Sequence, residues 1–350
     1  LSRLTVTLVA ALLLSPVLAH AEEPAKTPKV TFSGLVDSYY TVNLSQSQSY
    51  TSPTGGYSAA PGFNLNFAKL GVVAELDPVA VHLELGFGPV GQAITGRPGG
   101  TSDLLVEQAY ATMKFGKVTL EAGRFVTPAG FEVYEANNNW LYTKGLLFTF
   151  GVPTAHVGAR LAVPVSEALT ATLYLLNGSD LFTNDTGHTD SPYKTGAVSF
   201  GYTKGDTTAA LTAFYSKIPG TDAKSAFLVD ANVAQAFGAL GVDLAGVYGS
   251  AYNTALAKDS SWSGLALSAR YAFTPVVTGV ARAEYFSDKD GYHTGLAAKS
   301  VSSGTVGASY AVGSNAALRG ELKYDKASDN VYRGATASNT SLTLAAVAWF

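Results

Sequence analysis

The sequence predicts an all-β chain: a transmembrane antiparallel β-barrel of about sixteen strands, bounded between fourteen and eighteen, with one long loop folded into its interior. Three observations predict it. Segments of about ten residues alternate apolar and polar side chains repeatedly, as strands must when one face meets lipid and the other water. The connections between them are short and long in turn, the asymmetry of a barrel with tight turns at one rim and extended loops at the other. The final segment sets Leu342, Leu344, Ala346, Ala348 and Phe350 on one face, so it can pair with the first strand and leave no open edge in lipid.

The chain begins with Leu1-Ser2-Arg3, continues through an apolar run and reaches Ala19-His20-Ala21. A basic start, an apolar stretch and a small-x-small site read as a secretory signal peptide over residues 1–21, which assigns 22–350 to the barrel. Ser15-Pro16 interrupts the apolar run, which falls short of the ~20 residues a spanning helix needs. The 36 glycines suit close strand packing, and with no cysteine the fold is held without disulfides. A formal net charge of −3 lacks the basic signature of nucleic-acid binding.

In order, the alternation places strands over residues 30–43, 63–76, 79–88, 104–115 and 118–125. The third is the cleanest, with Val79, Val81, Leu83, Leu85 and Phe87 opposite Ala80, His82, Glu84, Gly86 and Gly88. Strands follow over 156–163, 168–176, 193–203, 207–216, 226–236 and 240–250, and then over 261–273, 277–286, 302–312, 316–325 and 341–350. Gly and Ala blur the alternation over 226–250.

The connection between the fifth and sixth strands is far longer than the ordinary loop of about 4–6 residues. It carries Phe131, Tyr134, Trp140, Leu146, Leu147, Phe148 and Phe150, which water disfavours, and Glu132 and Glu135, which lipid disfavours. Folding into the mouth of a wide, polar-lined barrel satisfies both. The loop is therefore expected to narrow the lumen.

The segment G-R-F-V-T-P-A-G-F-E-V-Y-E-A-N-N-N-W-L-Y-T-K-G-L-L-F-T-F-G-V-P-T-A-H-V-G over 123–158 is one of several distinctive stretches. Others are N-G-S-D over 177–180, W-S-G over 262–264, R-A-E-Y-F-S-D-K-D-G over 282–291 and L-R-G-E-L-K-Y-D over 318–325. Together they resemble the OmpL-like outer-membrane β-barrel porins of Gram-negative bacteria. The resemblance spans most of the mature chain. It implies an outer-membrane β-barrel that conducts small solutes. Passive diffusion of small hydrophilic solutes or ions is the expected mechanism, with outer-membrane lipid and lipopolysaccharide as the expected surroundings. It brings no catalytic residue and no cofactor. Porins of this general build often form homo-oligomers, although the sequence shows no interface. A terminal Phe350 resembles the signal by which such proteins are handed to the barrel-assembly machinery.

Charge on the lipid face near the membrane midplane costs about 2–4 kcal/mol for Arg or Lys, which drives such residues to the lumen. With Leu265, Leu267 and Tyr271 outward, Ser268 and Arg270 point in; likewise Arg282 and Glu284, and then Arg319, Glu321, Lys323 and Asp325. Arg160 points in on the strand after the long loop, and Arg124 sits at the corner before it. Two arrangements are open. Arg270, Arg282 and Arg319 form a basic wall facing Glu132 and Glu135 across a narrow waist, or these residues pair as structural salt bridges.

Asp288-Lys289-Asp290-Gly291 resembles part of a calcium loop, which makes Asp288 and Asp290 candidate metal ligands, although a full ligand set is missing. The five histidines are scattered, and no nucleophile elbow, P-loop or dinucleotide fingerprint occurs. Enzymatic activity is not expected. The rival to a porin is a non-conducting structural or adhesive barrel, plugged by its long loop.

Overall fold

The computed structural model describes residues 27–45, 61–89, 104–177, 194–218, 224–332 and 336–350. The expected signal peptide and the N-G-S-D loop over 178–180 lie outside them. Among the described residues, sixteen strands form the barrel. The first eight are β1 (Lys29–Asn43), β2 (Gly62–Glu75), β3 (Val79–Phe87), β4 (Leu104–Phe115), β5 (Val118–Val126), β6 (Ala155–Pro164), β7 (Leu169–Leu176) and β8 (Thr195–Lys204). Then come β9 (Thr207–Lys217), β10 (Ser225–Phe237), β11 (Leu240–Asn253), β12 (Lys258–Ala272), β13 (Val277–Asp288), β14 (Ser300–Val312), β15 (Ala316–Ala327) and β16 (Ser338–Trp349).

Each strand pairs antiparallel with its sequence neighbours, and β1 pairs with β16, so the sheet closes. Closure runs from Leu35↔Trp349 to Asn43↔Ser341. Beyond it, Gly34 and Phe350 exchange both backbone hydrogen bonds, at 3.1 and 3.0 Å. No backbone edge is left for lipid, which cannot satisfy one.

The alternation sorts the wall as expected. On β12, Leu265 and Leu267 are exposed outward while Ala266 and Ser268 are buried inward. Ser268 stands directly opposite Arg282, as the turn between β12 and β13 requires. Two register shifts interrupt the pattern. One in the β1–β2 pair turns both Asn66 and Phe67 inward, and one in the β3–β4 pair passes from Gln108 to Val106, so that Glu107 bulges out of the ladder. Bulges of this kind re-aim side chains locally.

One expectation is corrected. The β11–β12 connection is a tight turn over residues 254–257, not a long loop, because both strands extend past the expected ends. Alternation persists there, with Ala251 and Ser260 buried, and Asn253 closes the turn by accepting from the amides of Ala255 and Leu256.

The buried apolar residues lie inside the ring. One cluster joins Leu146, Leu147 and Phe150 of the long loop to Leu228, Val247, Trp262 and Phe286. A second joins Tyr134, Tyr142 and Phe148 to Leu35, Tyr39, Phe67 and Val347 on β1, β2 and β16. A loop that touches opposite parts of a closed ring must lie within it.

Candidate pore constriction

The loop over residues 127–154 leaves the wall through a narrow neck, where the Thr127 amide donates to the Thr154 carbonyl at 3.0 Å. Its first anchor is Gly130, whose amide donates to the Asp230 carboxylate on β10 at 2.8 Å. Glu132 is the second. It pairs with the Arg282 guanidinium on β13 at 2.6 Å and accepts from the Gly145 amide at 2.7 Å. Arg282 also pairs with Glu284 at 2.8 Å and donates to the Thr143 carbonyl at 3.1 Å. Glu284 in turn accepts from the Leu146 amide at 2.8 Å. This knot leaves no room for a side chain at residue 145, since a Cβ there would collide with Glu284 and Glu132.

Asn139 shapes the tip, accepting from the Val133 amide at 2.9 Å and donating to the Val133 carbonyl at 2.7 Å around a single 3-10 turn, Ala136–Asn138. Glu321 on β15 accepts from the amides of Tyr142 and Thr143 and from the Thr143 hydroxyl. Lys323 donates to the Lys144 carbonyl at 3.2 Å. Lys144 itself is buried; its ammonium donates to the Val133 carbonyl and lies 5.3 Å from the Phe148 ring centre. Burial pulls that ammonium down to about 8, against the raising pull of Glu132, Asp37 and Glu135. A π-helical turn, Leu147–Gly151, then leads back, and Trp262 donates its indole N–H to the Gly151 carbonyl at 3.3 Å.

Across the barrel, Glu135 pairs with Lys69 on β2. Lys69 also meets Glu84 at 3.0 Å and Glu107 at 3.9 Å. Oxygens of Glu84, Glu107 and Glu135 lie within 4.8 Å of one another, a spacing that suits a cation. The cation present is the protein's own ammonium, Lys69. Sequence reasoning singled out neither Lys69 nor Glu107.

The residues expected to line a pore therefore divide. Arg282, Glu284, Glu321, Lys323 and Glu132 are buried or nearly so in the loop's anchorage, and Glu135 is held by Lys69. Arg124 is buried at the corner, donating to the carbonyls of Val106 and Glu107 at 3.0 and 3.2 Å. Arg160 pairs with Glu121 and lies over the rings of Phe125 and Tyr110 at 4.5 and 5.4 Å. Arg270 stays exposed on the lumen face, its guanidinium 4.5 Å from the Trp140 ring centre. Arg319 is half-buried, and its Nε and one terminal nitrogen are buried with no hydrogen-bond partner. Arg270 and Arg319 remain as basic groups facing the lumen; Arg282 is neutralised by the acids it was expected to oppose.

The calcium candidates are occupied by protein donors. Asp288 accepts from the amides of Tyr292, His293 and Thr294 and from the Thr294 hydroxyl. Asp290 pairs with Lys258 at 2.7 Å and accepts from Ser260 at 2.8 Å. These contacts build the external loop over 289–299, and the two carboxylates do not converge on a shared site.

With the closed sixteen-strand ring and its docked loop established, comparison with known proteins decides the family. The family model described as "Putative beta-barrel porin-2, OmpL-like" matches residues 29–350. The chain belongs to this OmpL-like porin family. The barrel is similar to the outer membrane channel DcaP of Acinetobacter baumannii, with TM-score 0.66 and 14% identity over 95% of this chain and 100% of that one. It is also similar to an anion-selective porin from Comamonas acidovorans, with TM-score 0.62 and 15% identity over 92% and 100%. Salmonella typhi OmpF, solved with daunomycin, gives TM-score 0.64 and 12% identity over 92% and 98%. At these identities the likeness is one of fold. A search of curated proteins finds no match.

Proposed function

We propose that this OmpL-like porin is a passive-diffusion pore of the Gram-negative outer membrane for small hydrophilic solutes or ions, narrowed by the loop over residues 127–154. The observation that carries the reading is the placement of the loop's ionic anchors. They stand on β2, β10, β13 and β15, so the solute path is assigned to the space between the loop and the inner wall that carries Glu84, Glu121 and Arg160 on β3, β5 and β6. Arg160, Glu121 and Glu84 keep partial solvent access on that wall. Arg270, exposed below Trp140, places water against the underside of the loop.

The pore operates by size and charge, with no coupled energy source. Arg270 and Arg319 on β12 and β15 leave positive charge on one side of the waist, while Glu121 and Glu84 on β5 and β3 are balanced by Arg160 and Lys69, and this asymmetry sets a transverse field. Delivery by a signal peptide over 1–21, insertion guided by Phe350, and contact with lipopolysaccharide complete the reading. Liposome swelling tests it: vesicles holding the refolded protein swell in small sugars and amino acids, at rates that fall steeply with solute size. Swelling no faster than in empty vesicles favours a barrel plugged by its own loop.

A further inference from the structure

Beneath the constriction, between the inner faces of β2 to β5, lies a cavity of about 440 Å³. That volume falls in the range of small-molecule sites, about 300–1,000 Å³. Its wall combines Val73, Pro78, Val79 and Ala80 with Glu75, Asp77, Lys114 and Glu121, and His82 closes one side. The charges differ in how far the protein uses them. Glu121 is taken by Arg160 and by the Thr112 hydroxyl, at 3.0 Å from the latter. Glu75 has only a loose contact with Lys29 at 3.9 Å, both side chains being more than half exposed. Lys114 is exposed and forms no ion pair among the described residues. His82 stacks one face on Tyr110, with ring centres 4.5 Å apart, and lines the cavity beside it.

One uncommitted ammonium, Lys114, thus shares a pocket with two lightly engaged carboxylates, Glu75 and the exposed Asp77, and with an apolar flank. We propose that this pocket is a solute subsite of the pore for small zwitterions of the amino-acid type, rated by their paired charges. Lys114 takes the solute carboxylate, Glu75 and Asp77 take its ammonium, and the side chain lies along Val73 and Ala80. Neutral sugars would leave these charges without a counter-charge, and a solute of single sign would satisfy only one side of the pair. The proposal deepens the pore reading and rests on it.

The test uses the full refolded barrel and L-glutamine as probe, with glucose, n-butylamine and propionate as controls. In a planar bilayer, glutamine added to either side is expected to block current in a saturable way, at least tenfold more effectively than any control. Lys114→Gln and the double variant Glu75→Gln/Asp77→Asn, all exposed and outside the loop's anchorage, are each expected to weaken the block at least tenfold. Calorimetry in detergent measures the same binding without conduction. Binding that both variants abolish, in a barrel that passes no current, contradicts the pore reading and upholds the pocket. Conduction without glutamine block, block unchanged in both variants, or equal block by a single-charge control overturns the pocket and leaves the pore standing.

Discussion

Replacing Arg282 by Gln removes the guanidinium that pairs with Glu132 on the loop and with Glu284 on the wall. Both carboxylates stay in a nearly dry site, and breaking a buried pair in this way costs about 3–5 kcal/mol. The cost falls on docking, because β13 keeps its ladder to both neighbours while the loop loses the acceptor geometry of Glu132 and Glu284. The amides of Gly145 and Leu146 donate to those two carboxylates and report the loss directly. Since each 1.4 kcal/mol is a factor of about ten, their hydrogen exchange in the folded barrel is expected to accelerate by roughly a hundredfold to a few thousandfold. Strand amides of β12 to β14 are expected to stay within a few-fold of the parent. Mass spectrometry of peptides spanning residue 145 reads both at once. Acceleration below tenfold at Gly145 and Leu146, with the variant folded, would refute the claim that this ion knot holds the loop.

Arg270→Ala removes an exposed lumen cation. A unit charge at contact distance in water is worth about 1 kcal/mol, so the reversal potential in a salt gradient is expected to shift toward cations by a permeability ratio of roughly two- to fivefold. Gly123 has φ +140, and an added Cβ would collide with the backbone of Ala109 and Tyr110. Gly123→Ala is therefore expected to destabilise by roughly 1–3 kcal/mol from strain, with a similar overpacking cost, seen as a lower temperature for the heat-modified gel shift. Burial pulls His293 in the external loop down to about 4. Between pH 6.5 and 4 the undocked loop binds a proton that the docked one refuses. Docking is thus complete above 6.5 and is weakened as pH falls through that window, by up to roughly 3 kcal/mol. Fluorescence of Trp262, whose ring lies 4.7 Å from His293, is expected to report the release, and His293→Leu to flatten the response.

The strands were legible because lipid imposes a simple rule on every side chain at membrane depth. Alternation alone put Arg270, Arg282, Glu284, Arg319, Glu321 and Lys323 inside, and the range 104–115 matches β4 at both ends. The loop was legible from the conflict between its aromatics and its acids. Its partners were not, because periodicity is local and the Glu132–Arg282 contact joins residues 150 positions apart. Lys69 escaped for a different reason. Counted from the exposed Phe63, alternation sends Lys69 to lipid, and only the bulge at Asn66–Phe67 returns it to the lumen. Asp230 and Asp243, buried inward on β10 and β11, lie in the stretch where Gly and Ala blur the pattern.

The central claim is an open, water-filled path past the docked loop, and single-channel recording of the refolded protein in a planar bilayer meets it most directly. The account predicts stable, discrete conductance steps, with larger and noisier steps from Arg282→Gln. A silent membrane from a barrel that is β-rich and heat-modifiable, and that begins to conduct only when Arg282→Gln releases the loop, would contradict the account and identify the loop as a plug.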